Sequence, residues 1–218
     1  MDKFSLLMQP FADMTASLRR ERQGDGMDAE QAMIERLRSG DGSALRWLME
    51  QYGDDMVRTA ALLLKDRHLA EDVSQEVFID AFRKIKQLRQ DGSLRGWLLA
   101  MTINRCRARM RLSSWKRLLF RDKLEDTPDA HPLGSPGTNE WASAASLQEA
   151  IMLLPMHYRE PIVLYYYQEL TISQIAETLR EPEGTVKSKL SRGRKLLRIT
   201  LEEGGWWDEE AAGRRSHS

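Results

Sequence analysis

Apolar positions recur at helical spacing through the first half of the chain. Leu45, Leu48, Met49, Tyr52, Met56, Ala60 and Leu63 fall on one stripe. Ser43 is placed to cap its start, and Gly53 weakens its middle. A second stripe runs through Ala70, Val73, Val77, Phe78, Ala81 and Ile85. Its opposite face carries Asp72, Gln75, Glu76 and Arg83. Asp91-Gly92-Ser93 reads as a turn before a helix start, and Leu94, Trp97, Leu98 and Met101 open a third stripe. At that spacing Trp97 reads as a core residue.

The rear half repeats the pattern in shorter pieces. Leu147, Ile151 and Leu154 predict a helix ended by Pro155. Ile162, Val163 and Tyr166 predict the next, with Pro161 tolerated in its first turn. Thr171 and Gln174 form a capping box. Ile172, Ile175, Ala176 and Leu179 then make one apolar face, and Arg180-Glu181-Pro182 breaks the helix. The stretch from Glu183 to Leu201 turns Val186, Leu190 and Leu197 inward. A short helix, a tight turn and a longer basic helix is the helix-turn-helix pattern, whose second helix meets base edges in the major groove. A generic helical hairpin is the competing reading, and the basic outer face of the second helix weighs against it.

Prolines divide the chain. Residues 11–127 contain none, whereas Asp126 to Thr138 holds three prolines and two glycines and reads as a linker. The expected organisation is all-α. It comprises an N-terminal extension (1–27), a front helical domain (28–113), a flexible linker (114–145), a rear helix-turn-helix domain (146–203) and a tail (204–218). Phe4, Leu7, Phe11, Met14 and Leu18 give the extension an amphipathic pattern, and Trp206-Trp207 mark the tail.

Composition narrows the function. The chain has 218 residues, with Lys plus Arg equal to Asp plus Glu at 33 each. One cysteine, Cys106, excludes an intrachain disulfide framework, and the four histidines are too scattered for a metal site. No apolar run approaches a membrane span, and the first residues lack a signal pattern, so a cytoplasmic setting is expected. The neutral total hides a segregation. From Asn104 to Arg121 lie seven basic residues and no acid; from Gly184 to Arg198 lie six, again with no acid. Clustered cations are the footprint of phosphate binding. A solvated helix face is the ordinary explanation for one such block, and a weaker one for two.

The residues that carry these patterns resemble a known family. LPMHYREPIVLYYYQELTISQIAETLREPEGTVKSKLSRGRKLLR resembles region 4 of bacterial RNA polymerase sigma factors of the extracytoplasmic-function group. DRHLAEDVSQEVFIDAFRKI resembles region 2.2 of that group, and SLRGWLLAMTINRCRARMR its regions 2.3 and 2.4. The order is that of the family, and the resemblance spans roughly residues 28 to 202. It implies a dissociable promoter-specificity subunit and assigns roles to matched positions. Asp72, Gln75, Glu76 and Arg83 would dock on the beta-prime clamp helices of core RNA polymerase. Gly92, Ser93, Asn104, Arg105 and Arg109 would meet the opened minus-ten element. Thr185, Lys187, Ser188, Ser191 and Arg192 would read the minus-thirty-five element, with Arg194 and Lys195 holding phosphates. The resemblance also implies an anti-sigma factor as partner, and no cofactor, metal or small-molecule substrate. Two positions depart from the family pattern: Arg180 stands where Gly is frequent, and Gly193 where Ala is usual. Residues 1 to 26 have no counterpart, and Met27 opens an ordinary family start.

Two other classes compete. A dimeric helix-turn-helix regulator acting alone fits the rear half, but the front half shows no ligand-pocket signature. A protein-binding helical adaptor would leave both basic blocks as solvated faces. An enzyme is disfavoured, since the chain has no Gly-rich phosphate loop and no Cys-His pairing.

Overall fold

The computed structural model describes residues 26–89, 92–119 and 147–203. Every regular element among them is helical, and the described residues fall into two compact units, 26–119 and 147–203.

The front unit contains α1 (Gly26–Arg38), α2 (Gly42–Leu64), α3 (Arg67–Lys84) and α4 (Leu94–Leu119). The start of α2 is set by Asp41, not Ser43. The Asp41 carboxylate accepts from the backbone N–H of Ser43 at 2.9 Å and from its hydroxyl at 2.7 Å. Those bonds, reinforced by Arg36, hold its pKa at about 2. Ser43 therefore serves the cap as a donor. Helix α2 ends at Lys65, in the left-handed conformation, and Asp66 at once caps α3 by accepting from Leu69 N–H at 2.9 Å.

The apolar stripe of α3, carried on into the 3-10 turn Ile85–Gln87, is as expected: Ala70, Val73, Val77, Phe78, Ala81 and Ile85 are all buried. That on α2 is displaced. Ala44, Leu48 and Met56 are buried, as is every residue from Thr59 to Leu63, while Leu45 and Tyr52 are half-buried and Met49 is exposed. The reason is packing on several sides. Helix α2 is in contact with α1, α3 and α4, so its last turns are covered almost all round. Helix α4 closes the core with Leu94, Leu98, Leu99, Ile103 and Cys106. Trp97 is half-buried, not a core residue. The buried Thr102 hydroxyl donates to the Leu98 carbonyl at 2.9 Å, one turn back, so its polarity is satisfied within the helix. Between helices of this core, Arg95 on α4 pairs with Asp55 on α2 at 3.1 Å, and Tyr52 on α2 donates to Glu30 on α1 at 2.7 Å. Burial, then Glu30, pushes the Tyr52 hydroxyl well above the usual phenol range.

The rear unit contains α5 (residues 147–153), α6 (Met156–Tyr166), α7 (Ile172–Leu179) and α8 (Glu183–Glu203). Pro161 is interior to α6, because the helix already starts at Met156. The Pro155 carbonyl accepts from Tyr158 and Arg159, which winds the first turn five residues before Pro161. Pro161 is buried, and its missing N–H leaves one interior helix bond unmade. Arg159 is also buried. Its guanidinium reaches back to the end of α5, donating to the Met152 carbonyl at 2.5 Å and the Leu154 carbonyl at 2.6 Å. Burial lowers its pKa to about 10, so it stays cationic at neutral pH while capping a helix C-terminus. Around it Leu147, Ile151, Leu154, Ile162, Val163, Ile175, Leu179, Val186, Leu190 and Leu197 form one core.

Candidate DNA-binding and docking surfaces

The helix-turn-helix is built by α7 and α8. The capping box is complete: Thr171 N–H donates to Gln174 Oε1 at 2.9 Å, and Gln174 N–H donates to Thr171 Oγ1 at 3.3 Å. Helix α7 stops because Arg180 adopts φ 56°, ψ 48°. That is the left-handed position where glycine is at ease, so the arginine holds there a backbone conformation that costs a side-chain-bearing residue more than it would cost glycine. Pro182 then offers its carbonyl to Thr185 and Val186 and starts α8. Glu181, in the turn, receives both bonds of Lys189 Nζ at 2.6 and 2.7 Å. This pair fixes the turn to the second helix.

On α8 the core residues fall on one side and the candidate contacts on the other. Thr185, Lys187, Ser188, Ser191, Arg192, Arg194 and Lys195 are all exposed. Lys187 reaches Glu183 at 3.6 Å across an exposed pair that water readily replaces. Lys189, part of the same basic block, is withdrawn by Glu181. His157 and Tyr158 of α6, with Thr185, Ser188 and Arg192, line an open groove of about 390 Å³ beside the first turns of α8. Sequence reasoning gave α6 no place at this face.

Gly193 explains itself by distance. A Cβ there would lie 3.1 Å from Cγ1 of buried Ile162 on α6, closer than side chains normally pack. The glycine lets α8 approach α6.

In the front unit, Asp72, Gln75 and Arg83 are exposed on α3. Ile79, which sequence reasoning passed over, lies on the same face and is 47% exposed. Its signal was available: an isoleucine off the apolar stripe, at helical spacing from Asp72, Gln75 and Arg83. Glu76 does not join them as a free carboxylate. It faces α4, where Arg109 bonds one oxygen and Arg105 the other at 3.3 Å. Asp80, one turn on, bonds Arg105 and Lys84. Arg105 holds the Asp80 carboxyl below the usual carboxylate range. The two arginines expected at DNA and the glutamate expected at the docking face are thus one cluster. Asn104 stands beside it, exposed. Gly92 is half-buried, its N–H bonded to the Arg89 carbonyl at 3.1 Å. Ser93 is exposed and caps α4, accepting from Gly96 N–H at 3.1 Å. Lys116, Arg117 and Arg121 of the first basic block lie outside the residues whose side chains are described.

These elements match known proteins in both halves. The Sigma-70 region 2 profile matches residues 48–116, and the Sigma-70 region 4 profile matches residues 144–197, together more than half of the chain. Among curated relatives, the ECF RNA polymerase sigma factor SigW of Bacillus subtilis is 28% identical over 187 residues, covering 78% of this chain and 95% of the relative. The ECF sigma factor SigE of Mycolicibacterium smegmatis is 33% identical over 172 residues, covering 75% and 65%. Two solved structures share the fold at 20% identity. The sigma factor RpoE of Bartonella quintana, solved with the anti-sigma factor NepR, aligns at a TM-score of 0.61 over 72% of this chain and 96% of that one. CnrH, solved with the cytosolic domain of CnrY, aligns at 0.59 over 80% and 98%. With a region 2 bundle and a region 4 helix-turn-helix in the family's order, the chain belongs to the extracytoplasmic-function group of sigma-70 factors.

Proposed function

We propose that this chain docks on core RNA polymerase through the exposed α3 face and brings it to promoters through two DNA surfaces. The exposed row on α8 carries the reading. Lys187, Ser188, Ser191 and Arg192 read the minus-thirty-five element in the major groove, while Arg194 and Lys195 hold the backbone. Gly92, Ser93, Asn104, Arg105 and Arg109 receive the opened minus-ten strand, where Asn pairs with a base edge and Arg holds phosphate or stacks. Asp72, Gln75 and Arg83, with Ile79 as the apolar anchor, meet the clamp helices of the beta-prime subunit. Glu76 touches both tasks. The chain performs no chemistry itself; catalysis belongs to the core enzyme, and the work is cytoplasmic. Because the similar sigma factor RpoE was solved with the anti-sigma factor NepR, an anti-sigma factor covering these surfaces is part of the proposal. A dimeric regulator acting alone is not favoured, since region 2 has no use in one.

Size-exclusion with core RNA polymerase, followed by run-off transcription on genomic fragments, tests the assignment. Lys187→Ala and Arg192→Ala should each lower promoter-specific transcripts about 10- to 100-fold, the scale of one lost base contact, with co-elution unchanged. Asp72→Lys with Ile79→Glu should abolish co-elution while the variant still shifts duplex DNA. Loss of co-elution in the α8 variants would overturn this division.

A further inference from the structure

Arg38 ends α1, and its guanidinium has two anchors. Nη1 donates to Glu35 Oε1 at 2.8 Å, one turn back on the same helix. Nη2 donates to the Leu88 carbonyl at 2.9 Å, fifty residues on in sequence. The side chain is only 20% exposed, so it lies along the bundle and not out in water. Leu88 closes the 3-10 turn Ile85–Gln87, its N–H donating to the Ile85 carbonyl at 3.0 Å. Its own backbone is extended, at φ −66° and ψ 122°, so its carbonyl leaves the helical ladder and takes a donor from elsewhere. A cationic donor holds that carbonyl more firmly than a neutral one would.

Gly92 is built on the same residue. Its N–H donates to the carbonyl of Arg89, the residue after Leu88, at 3.1 Å. A Cβ at Gly92 would lie 3.3 Å from that carbonyl oxygen and 3.5 Å from Leu88 Cδ1. Leu88 is thus a post. The core holds its buried side chain, Arg38 holds its carbonyl, and Gly92 rests against it. Ser93 follows and caps α4.

We propose that Arg38 is a positioning residue for the minus-ten strand: through the Leu88 carbonyl it sets where Gly92 and Ser93 stand, without meeting the DNA itself. The inference rests on the minus-ten role proposed above for Gly92 and Ser93, and it adds a residue of α1, a helix given no part in that role.

The test uses holoenzyme assembled from the full chain and core RNA polymerase. Fluorescence anisotropy measures its affinity for a labelled single strand carrying the minus-ten element of a promoter found by run-off transcription. The same strand with abasic sites across that element is the comparison, and the ratio of the two affinities is the readout. A loss of folded protein or of one positive charge weakens both strands alike and leaves the ratio where it was. Arg38→Met should cut the ratio about tenfold, the scale of one hydrogen bond from a charged donor, with co-elution unchanged. Arg38→Gln stays polar but ends short of the carbonyl; it should do the same, and it carries the test if Arg38→Met does not fold. Arg36→Met removes an equal charge from the same turn of α1, where the partner is Asp41, and should leave the ratio unchanged. An unaltered ratio in the folded Arg38 variants, or an equal fall in Arg36→Met, would overturn the positioning role alone. If the unmodified holoenzyme binds both strands equally, the minus-ten reading falls and takes the positioning role with it.

Discussion

Gly53 and Gly193 are both helix-interior glycines, yet they answer to opposite constraints. A Cβ at Gly53 meets nothing within 4 Å, whereas one at Gly193 presses on buried Ile162 at 3.1 Å. Gly53→Ala should therefore stabilise the front unit by about 0.5–1 kcal/mol, through the unfolded chain's lost freedom. Gly193→Ala should give no such gain and should lower the melting temperature of the rear unit, because Ile162 is wholly buried and has little room to yield. Thermal melts of the two variants check both signs. The sequence alone shows a helix-breaking residue at 193 and an apparent defect. The compensating contact comes from another helix and has no local signature. Arg180 is the converse case: the break after Leu179 was legible, but an arginine there gave no sign of the left-handed backbone that the structure shows.

At the scale of the element, periodicity served where a helix packs on one side and failed where it packs on several. The six-residue stripe on α3 could be read directly. On α2 the last turns are covered all round, so no single stripe describes them. Charge counting has a similar limit. The block on α4 holds no acid, yet Glu76 and Asp80 on α3 neutralise two of its arginines, and only tertiary contact reveals that. Lys189 is withdrawn from the α8 row in the same way by Glu181. Helix α6 carries the most consequential buried polar residue. Arg159 satisfies the carbonyls of Met152 and Leu154 at the end of α5. Arg159→Met keeps most of the packing volume and removes the donors, so it should destabilise the rear unit by about 2–3 kcal/mol. Urea unfolding followed on the rear unit's helices should show that loss, and Arg159→Lys should recover part of it.

For the whole molecule, the two units each bury their own core, and the resemblance places each on a different DNA element. Tethering makes the second contact intramolecular and so raises its effective concentration. A chain cut within the proline-rich segment 126–138 should keep both units folded by circular dichroism and the front unit co-eluting with core polymerase. Promoter-specific transcription should fall by about a hundredfold or more. The order of the helices and the helical class were legible from the residues. The docking of one helix's acids onto another's arginines was not, because it depends on how α3 and α4 cross.

Cys106 has a consequence of its own. It is the one thiol in the chain, and it is fully enclosed on α4 beneath the helices that also carry the docking face. An alkylating reagent reaches that sulfur only when α4 lifts from its neighbours, so the alkylation rate, divided by that of an open thiol, is the equilibrium constant for opening the front unit. The molecule thus carries its own strain gauge, built from native atoms and readable without a label. Any partner that clamps α3 against α4 registers there as slower chemistry at a buried sulfur.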